Sequence, residues 1–219
     1  MLLSADVKTQ LKDLFDREFR ETVTLKLFSQ AIGCDTCQTV EGLLKELVDT
    51  VGEDRLKYEL HTPLLEKELA NKYGIDRVPT IVIEGDRDYG IRYTGLPAGL
   101  EFSTLASAII QVSKREPNLS AKTLELLKDI TAPIEIMVFV TTSCGYCPSA
   151  AVMAYNFAIA SDYITAKVID ASENPDLAER FQVVGVPKIV INGGLVEFVG
   201  AQPENAFLGY ILSAHEKIK

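Results

Sequence analysis

The chain has 219 residues and a net charge of −9 at pH 7, with 47% apolar and 24% charged residues. This length fits one large domain or two of ordinary size, and either arrangement can bury a hydrophobic core. The negative charge argues against binding to nucleic acid, which requires a basic patch. The N-terminus lacks the pattern of a signal peptide and no apolar run is long enough to span a bilayer, so we expect a cytoplasmic protein that does not bind a membrane.

Residues 1–117 are predicted to form a leading helix followed by a βαβαββα unit. Ser4 is a candidate N-cap of the leading helix, and apolar residues at helical spacing form one face of that helix. The predicted elements after it are strand 22–28, helix 40–51, strand 56–61, helix 64–72, strands 79–84 and 90–94, and helix 100–112.

Residues 118–219 repeat this order after a predicted boundary at the Glu-Pro-Asn run of residues 116–118. The predicted elements are helix 121–130, strand 134–140, helix 144–159, strand 163–170, helix 175–181, strands 187–191 and 195–199, and a helix from residue 204. We therefore expect an α/β fold of two tandem units, each a four-stranded mixed sheet flanked by helices.

The four cysteines form two C-x-x-C motifs, Cys34–Cys37 and Cys144–Cys147, each between a predicted strand and a helix. A helix N-terminus favours negative charge, so it lowers the pKa of the first thiol and makes it a better nucleophile. Paired C-x-x-C motifs in a cytosolic chain predict redox chemistry or metal binding rather than structural disulfides.

A Val-Pro step precedes an Ile-Val-Ile strand in both halves. Pro79 follows Cys34 by 45 positions, and Pro187 follows Cys144 by 43. At this place in the chain, each Val-Pro bond is a candidate cis peptide.

Such a turn would leave the backbone of Val78 and Val186 free to pair with an extended peptide substrate. Tyr146, inside the second motif, is a further candidate contact with substrate. Lys188, directly after the second proline, is expected to be solvated.

These residues resemble a known family. A strand, a C-x-x-C at a helix start and a later proline before an Ile-Val-Ile strand resemble the thioredoxin fold. Two such units in tandem, with Cys-Gly-Tyr-Cys-Pro at residues 144–148, resemble the glutaredoxin-like protein disulfide oxidoreductases of thermophilic archaea and bacteria. The chain departs from related sites at Gly145, where a glutaredoxin-type site has proline. It also has Phe28 and Val138 where thioredoxin has a buried carboxylate, so the sequence identifies no group that moves protons for the inner thiols.

The resemblance implies an enzyme that exchanges thiols and disulfides with protein substrates, of the disulfide reductase or isomerase type. Cys144 would attack and Cys147 would resolve the mixed disulfide, and Cys34 and Cys37 would repeat these roles. No bound cofactor or metal is expected, and reducing equivalents would come from an external donor similar to thioredoxin reductase. The net direction, whether reduction, oxidation or isomerisation, stays open.

Two alternatives come from other classes of protein. One is an electron relay for a peroxide reductase, similar to the tandem thioredoxin-fold module of alkyl hydroperoxide reductase flavoproteins; those keep one working C-x-x-C, so two intact motifs count against it. The other is structural zinc bound by the four cysteines. Cys37 and Cys144 lie 107 positions apart, whereas zinc ribbons separate such pairs by about 15–20 residues. Neither His61 nor His215 is near a thiol in the sequence.

The two motifs are not expected to be equally reactive. Asp35 places a carboxylate beside Cys34, and a like charge opposes ionisation of the thiol. Gly145 and Tyr146 bring no charge to the second motif. The sequence therefore predicts that Cys144 is the more ionised of the two leading cysteines.

Overall fold

The computed structural model describes residues 2–219 and contains eight α-helices and eight β-strands in that range. The elements of the first half are α1 (Ala5–Glu18), β1 (Val23–Phe28), α2 (Cys37–Val51), β2 (Leu56–His61), α3 (Lys67–Tyr73), β3 (Thr80–Glu84), β4 (Ile91–Thr94) and α4 (Glu101–Lys114). Those of the second half are α5 (Ala121–Leu127), β5 (Ile134–Val140), α6 (Cys147–Ala160), β6 (Ile164–Asp170), α7 (Pro175–Arg180), β7 (Lys188–Ile191), β8 (Val196–Val199) and α8 (Glu204–Ile218).

Local sequence accounts for most of these elements. Ser4 caps α1, because its hydroxyl oxygen accepts a hydrogen bond from the Val7 amide at 3.3 Å. Helix α2 buries a continuous apolar face made of Cys37, Val40, Leu43, Leu44, Leu47, Val48 and Val51. Strands β3 and β7 are buried along their length, except for the last residue of β3. Neither strand therefore shows an alternation of buried and exposed residues, as is typical of central strands that are covered on both faces.

The strands form one mixed sheet with the order β2-β1-β3-β4-β6-β5-β7-β8. Within each half the layout is the same: the first two strands pair in parallel, and the last two form an antiparallel hairpin beside the first. The two four-stranded sheets expected from the sequence are present. They are joined by parallel pairing of β4 with β6, in the register Ile91 with Ala166 through Thr94 with Ile169.

Side chains also cross the junction between the halves. The buried Tyr155 hydroxyl of α6 donates to the carbonyl of Arg92 on β4 at 2.9 Å. The Arg92 guanidinium is itself buried and forms two hydrogen bonds with the Asp88 carboxylate at 2.8 and 2.6 Å. The largest apolar cluster includes residues from both halves, so a single core supports the two C-x-x-C motifs. No helix in residues 2–219 is long and apolar enough to cross a membrane.

Candidate active sites

Each C-x-x-C motif forms an internal disulfide. Cys34 is bonded to Cys37 and Cys144 to Cys147, with Cα–Cα distances of 5.5 and 5.4 Å. Helices α2 and α6 begin at the second cysteine of each pair. The expected helix over 144–159 therefore starts three residues late, since the first cysteine lies in the turn between strand and helix. Both sulfurs of each pair still lie beside a helix N-terminus.

The two cysteines of each pair differ in exposure. Cys37 is 2% and Cys147 0% exposed, whereas Cys34 and Cys144 are half-buried. A disulfide partner can therefore reach the first sulfur of each pair but not the second. This asymmetry is what a dithiol site needs in order to separate an attacking thiol from a resolving thiol.

The two proline turns lie at the same end of the sheet as the motifs. The Val78-Pro79 and Val186-Pro187 peptide bonds are cis. The residue after Pro79 pairs with Phe28 at the end of β1, and the residue after Pro187 pairs with Phe139 on β5. Since β1 and β5 lead directly into the C-x-x-C turns, each proline lies at the sheet end that carries its motif.

The residues predicted to contact substrate are partly accessible. Val78 and Val186 are half-buried, and both prolines behind them are buried. Tyr146 is 76% exposed, on the turn between Cys144 and Cys147. Contact of these residues with a substrate stays a prediction.

The second site contains a hydrogen bond that favours ionisation of Cys144. The backbone amide of Cys147 donates to the Cys144 Sγ at 3.1 Å. An amide directed at this sulfur would stabilise a thiolate after reduction, in addition to the helix dipole.

A contact from the first half supports the turn that precedes the second site. The Leu100 amide donates to the Thr142 carbonyl at 2.9 Å. A side chain at Gly99 would place its Cβ 2.5 Å from that carbonyl oxygen, and Gly99 has a φ of +56°. Close approach and left-handed backbone both favour glycine at this position.

A cleft of about 450 Å³ lies beside the first site. Cys34 and Cys37 line it together with Asp35 and Glu41. Glu41 forms an ion pair with Lys45 at 2.6 Å, one helical turn along α2. Its charge is thereby partly balanced. Asp35 is exposed, so water screens its effect on Cys34 in part.

A carboxylate from the second half of the chain contacts the first site. Thr36, between Cys34 and Cys37, donates its hydroxyl to Glu173 Oε2 at 2.5 Å. The Leu96 amide donates to Glu173 Oε1 at 2.8 Å. The same loop of the second half thus reaches the start of α2 and the end of β4.

An ion pair also joins the two halves of the chain near the first site. The Arg77 guanidinium, two residues before Pro79, donates two hydrogen bonds to the Asp176 carboxylate at 2.9 and 2.5 Å. A bidentate pair of this kind fixes orientation as well as distance.

Two carboxyl groups, those of Glu101 and Asp170, are buried where the halves meet. Burial raises the pKa of Glu101, at the start of α4, to about 7, and the nearby charge of Asp170 acts in the same direction. The nearby Thr104 hydroxyl lowers the pKa of Glu101 in part, although its geometry with the carboxyl group is not that of a good hydrogen bond. Burial also raises the pKa of Asp170, although the Ser172 and Glu173 amides donate to its Oδ1 at 2.8 and 3.3 Å.

The environment of Lys188 differs from what sequence alone suggests. The expectation of a solvated Lys188 is wrong: its ammonium is buried, donates to the carbonyls of Phe181 and Gln182, and pairs with Glu197 at 2.8 Å. Strand alternation turns Lys188 to the α7 side of the sheet, whereas its neighbour Ile189 belongs to the same core as Cys147. Lys188 therefore supports the loop before Pro187 and does not face the thiols.

Sequence reasoning missed the contact of Glu173 with the first site and the burial of Glu101 beside Asp170. Their contacts exist because β4 pairs with β6, and no local pattern in either strand signals that pairing. All four cysteines are engaged in disulfides. Within residues 2–219, no group of three or more His, Cys, Asp or Glu side chains is arranged to hold a metal ion.

The sequence of this chain is similar to those of known redox proteins. A thioredoxin-domain family model matches residues 134–213. The F component of alkyl hydroperoxide reductase from Pseudomonas aeruginosa is 26% identical over 192 residues, which cover 88% of this chain and 34% of that protein. An NADH dehydrogenase of Bacillus subtilis is 24% identical over 194 residues, covering 88% of this chain and 35% of the relative. The chain thus spans about a third of the length of these curated relatives.

Solved structures match nearly the whole chain. The corresponding F component of alkyl hydroperoxide reductase from Enterococcus faecalis has the same fold, with a TM-score of 0.88 at 22% identity, over 96% of this chain and 100% of that one. A protein disulfide oxidoreductase from Aeropyrum pernix superposes with a TM-score of 0.90 at 32% identity, covering 98% of this chain and 94% of that one. With two C-x-x-C disulfides on tandem thioredoxin folds and this degree of identity over its full length, the chain belongs to the protein disulfide oxidoreductase family.

Proposed function

We propose that this protein exchanges thiols and disulfides with protein substrates at both C-x-x-C sites, as a disulfide reductase or isomerase. The observation that carries the proposal is the paired exposure of the sulfurs. In each site a half-buried cysteine precedes a buried one at a helix N-terminus. A surface thiolate and a shielded resolving thiol are the two parts that dithiol exchange requires.

Reduction of a substrate at the second site proceeds in two displacements. The Cys144 thiolate attacks one sulfur of the substrate disulfide; a Cys144–substrate bond forms, and the other substrate sulfur leaves with the bonding electrons and takes up a proton. Cys147, deprotonated, then attacks Cys144 Sγ, which restores the internal disulfide and releases the second substrate thiol. Two electrons pass from the dithiol to the substrate, and Cys34 and Cys37 carry out the same steps at the first site.

The substrate segment would lie along the proline turns. Val78 and Val186 would pair their backbone with an extended peptide, and Pro79 and Pro187 would shape the turns that present them. Tyr146 offers an exposed ring beside the second sulfur pair. The protein would therefore recognise the residues that flank the substrate cysteine mainly through backbone hydrogen bonds. Because such bonds depend little on side chains, many proteins could serve as substrates.

No tightly bound cofactor takes part in this scheme. An external donor then reduces the internal disulfide back to the dithiol, and a flavoprotein similar to thioredoxin reductase is the expected class of donor. A cytoplasmic location, where such donors operate, is part of the same proposal.

Cysteine variants test the function directly. Reduced wild-type protein should catalyse the reduction of insulin by a dithiol. The Cys147→Ser variant should accumulate mixed disulfides with substrate, because the resolving thiol is absent, whereas Cys144→Ser should trap none at that site. The Cys34→Ser and Cys37→Ser pair repeats the test for the first site. Absence of insulin reduction by the wild type, or trapping by Cys144→Ser at position 147, would contradict the proposal.

A relay role in peroxide reduction is the second candidate. It is favoured by similarity over 88% of the chain to a component of an alkyl hydroperoxide reductase. In that case the reduced protein would pass electrons to a peroxide-reducing thiol protein faster than to insulin. Stopped-flow oxidation of the reduced protein by each acceptor, at equal concentration, separates the two roles.

A further inference from the structure

We propose that Glu173, supplied by the second half of the chain, is a positioning residue of the Cys34–Cys37 site and keeps Cys34 less ionised than Cys144. The inference deepens the proposed function, because it concerns the reactivity of one of the two exchange sites. It rests on a hydrogen bond that joins the second half to the interior of the first motif.

The hydrogen bond to Glu173 uses the hydroxyl of Thr36, which lies between the two cysteines of the motif. Thr36 stands at the N-cap of α2, yet its side chain makes no capping hydrogen bond. It donates instead to Glu173 Oε2 at 2.5 Å. A carboxylate can only accept, so the Thr36 proton points at Glu173 and is not available to a thiolate at Cys34.

The carboxylate is also held in place on its other oxygen. The Leu96 amide donates to Glu173 Oε1 at 2.8 Å, and the Glu173 amide donates to Asp170 at 3.3 Å. Glu173 is half-buried, so its charge is screened less than that of the exposed Asp35. A fixed negative charge next to Thr36 opposes formation of a second negative charge on Cys34.

Internal repetition of the fold indicates that this arrangement is specific to the first site. Glu173 directly precedes Asn174, the N-cap of α7; in the first half the matching helix α3 has its N-cap at Glu66, and the residue before it is Leu65. Leu65 is 85% exposed. The loop after β6 faces the other half because β6 pairs with β4, whereas the loop after β2 lies at the outer strand of the sheet and faces solvent.

The residues that match Thr36 and its environment also differ at the second site. Tyr146 is the N-cap of α6 and is 76% exposed. There the Cys147 amide is directed at Cys144 Sγ. One site thus has an added carboxylate beside its turn, and the other has an added donor at its leading sulfur.

Charge removal at position 173 tests the inference in the full-length protein. Wild-type and Glu173→Gln proteins are fully reduced and alkylated with iodoacetamide from pH 5 to pH 10, and each cysteine is quantified by peptide mapping. In the variant, the pH profile of Cys34 should move to lower pH, with a rate about three-fold higher at pH 7, the effect of one like charge at short range in a largely aqueous environment. The profile of Cys144 should not change.

Three further variants separate the effect of the charge at position 173 from the effects of an altered fold or net charge. Glu173→Asp keeps a carboxylate and should keep the wild-type profile of Cys34. Thr36→Val removes the hydroxyl that anchors the carboxylate and should move Cys34 in the same direction as Glu173→Gln. Glu179→Gln removes an exposed charge from α7 and should leave Cys34 unchanged.

The inference is overturned if Cys34 has the same profile in wild type, Glu173→Gln and Thr36→Val. An equal shift in Glu179→Gln, or an equal shift at Cys144, would overturn it as well, since the effect would then be one of net charge. Alkylation does not depend on turnover. A wild type that fails to reduce insulin therefore contradicts the proposed function and leaves this measurement meaningful.

Discussion

Substituting Glu101 by glutamine should change how the stability of the protein depends on pH. The carboxyl group is fully buried, and burial raises its pKa from 4.5 to about 7. Glutamine has nearly the same shape but cannot ionise. The variant therefore isolates the effect of the buried charge from the effect of packing.

The direction follows from proton binding. Between pH 4.5 and about 7 the folded state keeps the proton of Glu101 while the unfolded state releases it, so a rise in pH favours unfolding. The stability contribution of the protonated group is complete below pH 4.5 and is lost as the pH passes about 7. A pKa difference of this size corresponds to about 3 kcal/mol of unfolding free energy in full, and to about 2 kcal/mol between pH 5 and pH 8.

The assay is guanidinium unfolding of both oxidised proteins at pH 5 and pH 8. Glu101→Gln should gain about 2 kcal/mol relative to wild type when the pH is raised from 5 to 8, whatever its absolute stability at pH 5. Any fixed cost of burying the amide cancels in this comparison. The exposed Glu179→Gln variant serves as control and should follow the wild type. A stability difference between Glu101→Gln and wild type that is the same at both pH values would refute the reasoning.

Three further predictions concern two glycines, the two leading cysteines and Lys188. Gly74→Ala should lower the unfolding free energy by about 1–2 kcal/mol, because Gly74 has a left-handed φ of +63° and a new Cβ would meet no other atom. Gly99→Ala should lower the unfolding free energy clearly more and should slow alkylation of Cys144, because its new Cβ would lie 2.5 Å from a backbone oxygen. In reduced wild-type protein, Cys144 should react with iodoacetamide at lower pH than Cys34, and equal profiles would mean that the neighbouring charges and amides do not rank the sites. Lys188→Met should lower the unfolding free energy by about 2 kcal/mol, since two carbonyls would lose their donor; an unchanged denaturation midpoint would contradict this.

The parts of the fold that depend on local pattern were predictable from sequence. The apolar face of α2, the Ser4 cap and the two Val-Pro strands are all present where the pattern indicated. Helix α3 begins at Lys67 rather than at residue 64. There the Leu65 and Glu66 amides bond to the Thr62 carbonyl at 3.0 and 2.9 Å in a separate turn, and nothing in the apolar pair Leu64–Leu65 distinguishes such a turn from a first helical turn.

The parts that depend on the junction between halves were not predictable. Pairing of β4 with β6 brings Glu173 to Thr36 across 137 positions of sequence. The same junction buries Glu101 beside Asp170. Neither Glu173 nor Glu101 belongs to a motif, and the sequence alone would predict that both side chains are exposed. Their roles arise from tertiary placement, which spacing within one half does not encode.

The position of strand β4 also bears on how the sheet avoids aggregation. All four of its residues are buried, and without β6 it would present unpaired amides and carbonyls along one edge. Such an exposed edge recruits strands from other molecules and leads to aggregation. The outer strand β2 instead carries Lys57 and Glu59 on exposed positions, charges of the kind that discourage such pairing. Pairing of β4 with β6 thus covers one sheet edge from each half. We expect either half, expressed alone, to self-associate through the edge strand that this pairing covers.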